Sequence, residues 1–410
     1  MYAAGALVSN VGTWMQRIAQ DWIVLTQLTQ HNATAVGVVI ALQFGPQAAL
    51  LPLTGYAADH FDRRKVMIAT QSTLGVLALI LGILCVTNHV QLWQVYLLAL
   101  LQGCAAAFDA PARQTFVSAL VGESDLSNAV ALNSTSFSVA RMIGPAIAGV
   151  LIAALGAGWV FLINAATFAA VIVSLRLLRV QELHVHNRNE PAPGSLLDGF
   201  RYVSGRPDLT AVMLMLFLIG TFGFNFPIFI STMAVSAFQV GARQYGLLNS
   251  MMAIGSISGA LMAARRARPR LGLVLAAAAV FGCGFSLAAI APTYGMFGCA
   301  LLLIGICAQT FSTSSLSLLQ LSTIPGMRGR VMAIGLAVSL GSMPIGSPIV
   351  GRVADAFGPR WALALGAASG FAAAIAGLRY LVKYRHLRVR LEHGRLRFSL
   401  QSINATLTHQ

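Results

Sequence analysis

The feature that leaves this chain the fewest possible folds is a rhythm of long apolar runs, each closed by a short charged turn. A bilayer core is crossed by a helix of ~20 predominantly apolar residues. Runs of that kind recur twelve times, near 4–27, 34–58, 66–87, 91–113, 129–155, 158–178, 209–235, 244–265, 271–291, 294–318, 331–356 and 360–381. Backbone in hydrocarbon must satisfy its own polar groups, so the runs are expected to be helices. Only 10% of the 410 residues are charged, whereas a soluble domain carries about 25%. The expected fold class is therefore all-α integral membrane, with twelve transmembrane helices.

The longest polar interruption, 179–208, holds two prolines and then the amphipathic piece SLLDGFRYVSG. It divides the chain into an N-terminal six-helix bundle (1–178), a cytoplasmic linker (179–208), a C-terminal six-helix bundle (209–381) and a basic tail (382–410) that suits lipid headgroups. The two bundles also look duplicated. GPAIAGVLIAALGAGW (144–159) aligns with GSPIVGRVADAFGPRW (346–361), pairing Gly144, Gly149, Gly156 and Trp159 with Gly346, Gly351, Gly358 and Trp361. Six-helix halves repeated in one orientation are the architecture of rocking secondary transporters.

Net charge is +15, but the cations sit in short turns and in the tail, with no basic face interleaved with aromatics. That pattern orients a membrane protein and excludes a nucleic-acid partner. All the cations except Arg17, Arg141, Arg243, Arg352 and Arg360 fall at one side once both termini share it. The positive-inside tendency makes that side cytoplasmic. The first run carries Arg17 and Asp21 and has no basic leader, unlike a cleavable signal. Cys85, Cys104, Cys283, Cys299 and Cys307 are read as small buried hydrophobes. His184 and His186 fall short of the three or four ligands a metal needs, so no metal site is assigned.

The densest charge lies in GYAADHFDRRK, 55–65. Gly55 permits close helix packing, Asp59 is placed to cap a facing helix N-terminus, and Arg63, Arg64 and Lys65 are placed to hold it by charge-assisted bonds. Such a contact would break and reform as two rigid halves rock. This stretch resembles the signature of the major facilitator superfamily between its second and third helices, with Asp62 in place of the second glycine. The duplicate turn, GALMAARR (259–266), has Ala263 where the aspartate would be, so the latch is expected on one side only. In FDAPARQTF, Asp109 and Arg113 share a helix face if the helix continues across Pro111. The resemblance implies that Asp109 joins the charge network of the signature turn, pairing with Arg63; a local ion pair with Arg113 is the alternative. Gly144, Pro145 and Gly149, with Gly346, Pro348 and Gly351 in the twin stretch 346–351, resemble the superfamily's exporter signature, a Gly/Pro-kinked helix packed flush against the other half. GTWMQRIAQDWIVLTQLT and FDAPARQTFV are similar to the branch of transmembrane secretion effectors that includes enterobactin-type siderophore exporters. That resemblance implies efflux across a bacterial cytoplasmic membrane. One departure is clear: the arginine that drug/proton antiporters carry before a Gln-Gly is Ala99 here, ahead of Gln102-Gly103.

Charged residues inside the membrane are costly and mark function by default. Asn10, Arg17, Gln20 and Asp21 fall on one face of the first helix at 3.6 residues per turn; Ser134, Ser138 and Arg141 do the same on the fifth. They are the candidate substrate and coupling residues, with Asp21 as the proton-carrying group. A purely structural Arg17–Asp21 pair is the alternative. Arg352 is expected to pair with Asp355.

No nucleophile motif, zinc motif or phosphate-binding loop is present, and the two lysines, Lys65 and Lys383, lie in none. The chain is thus expected to be no enzyme and no ATP-driven pump. The reading is a secondary transporter exporting a small amphipathic or anionic molecule. It would act as a monomer in the lipid bilayer, without a cofactor, on the proton gradient. An importer, a facilitator, or a non-transporting scaffold or sensor are the alternatives.

Overall fold

A computed structural model describes residues 2–50, 53–54, 61–119, 125–177, 196–265, 270–385, 388–392 and 395–399. The first half comprises α1 (Tyr2–Ile23), α2 (Ala33–Ala49), α3 (Arg63–Val86), α4 (Leu92–Ala119), α5 (Leu126–Leu155) and α6 (Ala157–Leu177). A short linker helix, α7 (Leu196–Ser204), follows. The second half holds α8 (Pro207–Phe222), α9 (Phe226–Thr232), α10 (Ala242–Ala264), α11 (Leu271–Ile290), α12 (Tyr294–Ser322), α13 (Arg328–Gly341), α14 (Met343–Phe357) and α15 (Pro359–Arg385). Beyond the bundle, β1 (Arg388–Glu392) pairs antiparallel with β2 (Arg395–Ser399), Arg390 opposite Arg397.

Ten spans among the described residues are long and apolar enough to cross a membrane, α8–α9 and α13–α14 each forming one. α1 is long enough but diluted by its polar stripe, and α2 is described for 17 residues. Together they make the twelve-helix major facilitator architecture. Two spans expected to be continuous are broken. Pro227 at the start of α9 and Pro344 at the start of α14 each lack an N–H and crowd the carbonyl one turn back. At the first break, the Asn225 amide donates to the Thr221 carbonyl at 2.7 Å, occupying an acceptor the helix no longer satisfies.

The duplication is visible in the packing. α1 packs on α5 and α6, α2 on α4, and α3 on α4 and α6; in the second half α8 packs on α14 and α15, α10 on α12, and α11 on α12 and α15. Local details repeat as well. A π-helical turn ends α1 (Val24–Leu28) and follows α9 (Met233–Ala237). Each is followed by a glutamine in the left-handed region, Gln30 at φ 49° and Gln239 at φ 52°. Gly156 and Gly358, aligned by sequence, cap α5 and α14 at φ 89° and 99° with ψ near 160°, a conformation essentially restricted to glycine.

The cysteines depart from expectation. Cys307 alone is buried; Cys85 and Cys104 are half-buried, and Cys283 and Cys299 are exposed on the bundle surface. Lipid solvates an apolar periphery, so a small hydrophobe in a span has no need of the interior.

Candidate functional site

The two halves meet along two seams, α2 against α14 and α5 against α10. Small residues at both seams let backbone touch backbone. A Cβ added to Gly149 would lie 2.6 Å from the Ala242 carbonyl oxygen, and one at Gly351 would lie 2.6 Å from that of Ala33. Gly246 is pressed on the Pro145 carbonyl, and Gly37 on Ser347 and Pro348. Gly144 and Gly346 serve packing within each half, on Trp14 of α1 and Thr221 of α8 respectively. These contacts gather at the end of the bundle that carries the α1–α2 and α5–α6 connections, called here the far end.

Below the seams lies a cavity of about 150 Å³ between the halves. Arg17, Asp21 and Arg141 line it from the first half, with Trp14, Gln43 and Phe44; Phe224, Phe226, Asn249 and Met343 line it from the second. The two arginines share one aromatic: the Arg17 guanidinium carbon sits 4.9 Å, and that of Arg141 5.6 Å, from the Trp14 ring centroid. Arg17 also lies 5.1 Å from the Phe44 ring. Cation–π contacts of this kind are worth about 0.5–2 kcal/mol each, and they hold two like charges on one wall. Among the described residues Arg17 and Asp21 do not close an ion pair. Asp21, 5% exposed, instead accepts a hydrogen bond from the Tyr245 hydroxyl of α10 at 3.4 Å, across the two halves. Tyr245 in turn stacks on Trp22 at 5.8 Å.

The rest of the expected polar stripe goes elsewhere. Gln20 is fully buried and accepts from the Gln43 side chain at 3.1 Å. Asn10 leaves the cavity group: its Oδ1 accepts from Arg113 at 2.9 Å. Ser138 donates to the Ser134 carbonyl at 2.9 Å, and neither lines the cavity. The Ser138 hydroxyl satisfies its own helix, as serine in a span commonly does.

α4 runs through Pro111, so Asp109 and Arg113 do share a face, and they pair at 3.0 Å. Asp109 is 7% exposed and also accepts from Thr70 at 2.8 Å and Gln71 at 2.7 Å. Through Asn10 and Arg113 this cluster ties α1, α3 and α4 into one body. Gly55, Asp59 and the Arg63 side chain lie outside what the structure describes. Arg64 donates to the carbonyls of Leu175 at 2.8 Å and Arg176 at 3.2 Å, closing the C-terminal end of α6. Asp62, where the superfamily pattern has glycine, caps α3 by accepting from the Lys65 backbone N–H at 3.0 Å. His184 and His186 also lie outside the described residues.

Sequence reasoning passed over Trp14, Phe44 and Tyr245. Each reads as an ordinary apolar or interfacial residue; the one signal was that Trp14 precedes Arg17 by three positions, on the same face of α1. It also mispaired Asp355, whose carboxylate accepts from the Ala33 and Thr34 backbone N–H groups at 2.7 and 2.8 Å and from the Thr34 hydroxyl at 2.5 Å. Arg352 makes no ion pair with it among the described residues. Asp355 lies one turn beyond Gly351, on the face turned to α2, and Arg352 does not.

Comparison with known proteins agrees with this fold. A family model described as transmembrane secretion effector matches residues 2–409. The enterobactin exporter EntS of Shigella flexneri is 28% identical, over 88% of this chain and 86% of its own length. The staphyloferrin A transporter of Staphylococcus aureus is 27% identical, over 85% and 87%. Among solved structures, a bacterial homologue of the human lysosomal transporter Spinster, inward-facing and unoccupied, superposes with a TM-score of 0.66 at 16% identity, covering 92% of this chain and 95% of that one. The nucleoside transporter NupG gives 0.70 at 16%, covering 93% and 98%. At those identities the structures speak for the fold alone.

Proposed function

This chain belongs to the transmembrane secretion effector family of the major facilitator superfamily, and from that premise we propose that it exports a small anionic or zwitterionic amphipathic molecule by alternating access. It is a multi-pass membrane transporter and not an enzyme. In the proposed cycle it sits in a bacterial cytoplasmic membrane as a monomer, both termini cytoplasmic, and draws on the proton gradient without a cofactor. The far end then faces outward, and the described conformation is the one closed to the outside.

One observation carries the reading: Arg17 and Arg141 flank Trp14 on one wall of the cavity, with Asp21 the single acid beside them among the described residues. Two cations held close in a low-dielectric site repel, and an anionic group entering between them relieves that cost. Trp14, Phe44, Phe224 and Phe226 offer the apolar remainder of an amphipathic solute a surface. Protonation of Asp21 fits a coupling role because its Tyr245 partner belongs to the other half. Rocking that opens the far end would part them and change the site in which the proton is held. The enterobactin exporter named above favours the outward direction, and together with the staphyloferrin A transporter it favours a siderophore-like cargo.

The test is transport by the full chain in proteoliposomes, with carboxyfluorescein and a quaternary ammonium dye as probes and a pH gradient of either sign. Gradient-dependent movement of the anion is expected. Robust movement of the quaternary dye with none of the anion would overturn the cargo class, and movement indifferent to the gradient would overturn proton coupling.

A further inference from the structure

Asp355 stands in the last turn of α14, where the helix dipole disfavours an acid. Its position is explained by the other half of the molecule. The carboxylate lies on the N-terminus of α2, whose exposed N–H groups favour negative charge, and it accepts from Ala33 N, Thr34 N and Thr34 Oγ1 at 2.7, 2.8 and 2.5 Å. Asn32, the cap of α2 itself, serves only the Ala35 N–H. The first turn of α2 is thus completed by a residue from across the seam. One turn earlier, Gly351 brings the two backbones together, so the contact closes only when the far end does.

We propose that Asp355 is the far-end latch of the transport cycle, a removable helix cap that sets how readily this end opens. The inference rests on the alternating-access reading. The chemistry suits a reversible contact. Asp355 is exposed and Thr34 half-buried at the rim of the seam, so water takes over their hydrogen bonds on opening and neither half is left with a buried, unpaired group. The latch belongs to one seam only. The alignment that pairs Gly351 with Gly149 pairs Asp355 with Ala153, and the N-cap of α10, Gly241, has no side-chain cap. Among the described residues the α5–α10 seam therefore packs backbone on backbone without a charged clasp.

The test is a distance measurement between spin labels at Trp159 and Trp361, which are 48% and 64% exposed at the far ends of the two halves. It uses the full chain, made cysteine-free apart from the labelled positions, in lipid nanodiscs across a range of pH. Asp355→Asn should raise the ratio of long to short distances about five- to thirtyfold, equivalent to about one to two kcal/mol, because the amide loses the charge but keeps one acceptor oxygen. Thr34→Val, which deletes only the hydroxyl and reports even if the first variant fails to insert, should raise it by about threefold, a loss at the lower limit for a single hydrogen bond. A wild type that exchanges between distances while both variants keep its ratio sinks the latch alone. A pair locked at one distance in wild type and variants, at every pH, sinks the latch together with the rocking reading.

Discussion

Replacing Asp109 by leucine removes the acceptor of four hydrogen bonds at once, from Thr70, from Gln71 and two from Arg113. The pair is well shielded, with side-chain exposures of 10% for Asp109 and 18% for Arg113. Deleting one partner of a buried pair costs about 3–5 kcal/mol, chiefly because the other charge is stranded. Arg113 keeps its bond to Asn10, so about 3 kcal/mol is expected. Arg113→Leu should cost less, about 1.5–3 kcal/mol, since Thr70 and Gln71 still serve the carboxylate. The double variant has no charge to strand and should cost little more than either single one. Equilibrium unfolding in mixed micelles, followed by tryptophan fluorescence, gives the three values. A coupling of at least ~1.5 kcal/mol marks the cluster as a brace that lets α1, α3 and α4 move as one body. Costs that add to within about 0.5 kcal/mol would refute it.

Three further outcomes are expected. Asp59→Asn should insert normally yet transport poorly, by loss of a charge-assisted contact worth about 1.5–3 kcal/mol; near-normal flux would reduce the 55–65 turn to an orienting one. Asp21→Asn should still bind an anionic probe but lose acceleration by a pH gradient, whereas Arg17→Ala should impair both; full gradient-driven efflux by Asp21→Asn would make the acid structural. Gly246→Leu should jam the α5–α10 seam against the Pro145 carbonyl and hold the far end open, so labels at the far ends that report wild-type closure in this variant would contradict the packing.

What the sequence discloses here follows from where the physics is local. Helix existence, the duplication and the departure at Ala99 are written in apolar length and in repeated Gly and Trp, and each requires only near neighbours. The breaks at Pro227 and Pro344 were signalled by residues in plain view, but an apolar run is indifferent to a kink inside it. The site was legible in its charges and illegible in its partners. Arg17, Asp21 and Arg141 were marked by the cost of burying them. Asn10 lies on the same helical face as Arg17, yet it turns to Arg113 on α4, a neighbour no spacing rule names. Tyr245 reaches Asp21 from the other half of the chain. Asp355 failed in the same way: three positions from Arg352 it suggests a local pair, and only the α14–α2 crossing reveals the backbone it caps.

The two seams are unequal, and the inequality bears on how the halves move. By sequence, an acid expected to cap a facing helix, Asp59, follows the second apolar run, and its duplicate is Ala263. At the far end Asp355 caps α2 from α14, and its duplicate is Ala153. Asp355 thus belongs to the pair formed by α2 and the α13–α14 span, while among the described residues α5 and α10 meet through Gly149, Gly246 and Pro145 without such an acid. A seam of close backbone contact is insensitive to charge and tolerates pivoting. A seam clasped by an acid favours the closed position over those partly open, because a carboxylate drawn away no longer reaches the helix terminus. The cavity lies between the two seams, and its one acid among the described residues, Asp21, contacts Tyr245 on the α10 side. Closure at the far end thus engages a latch on one seam and the candidate proton site on the other, and the two are joined through rigid halves of which the Asp109 cluster braces the first.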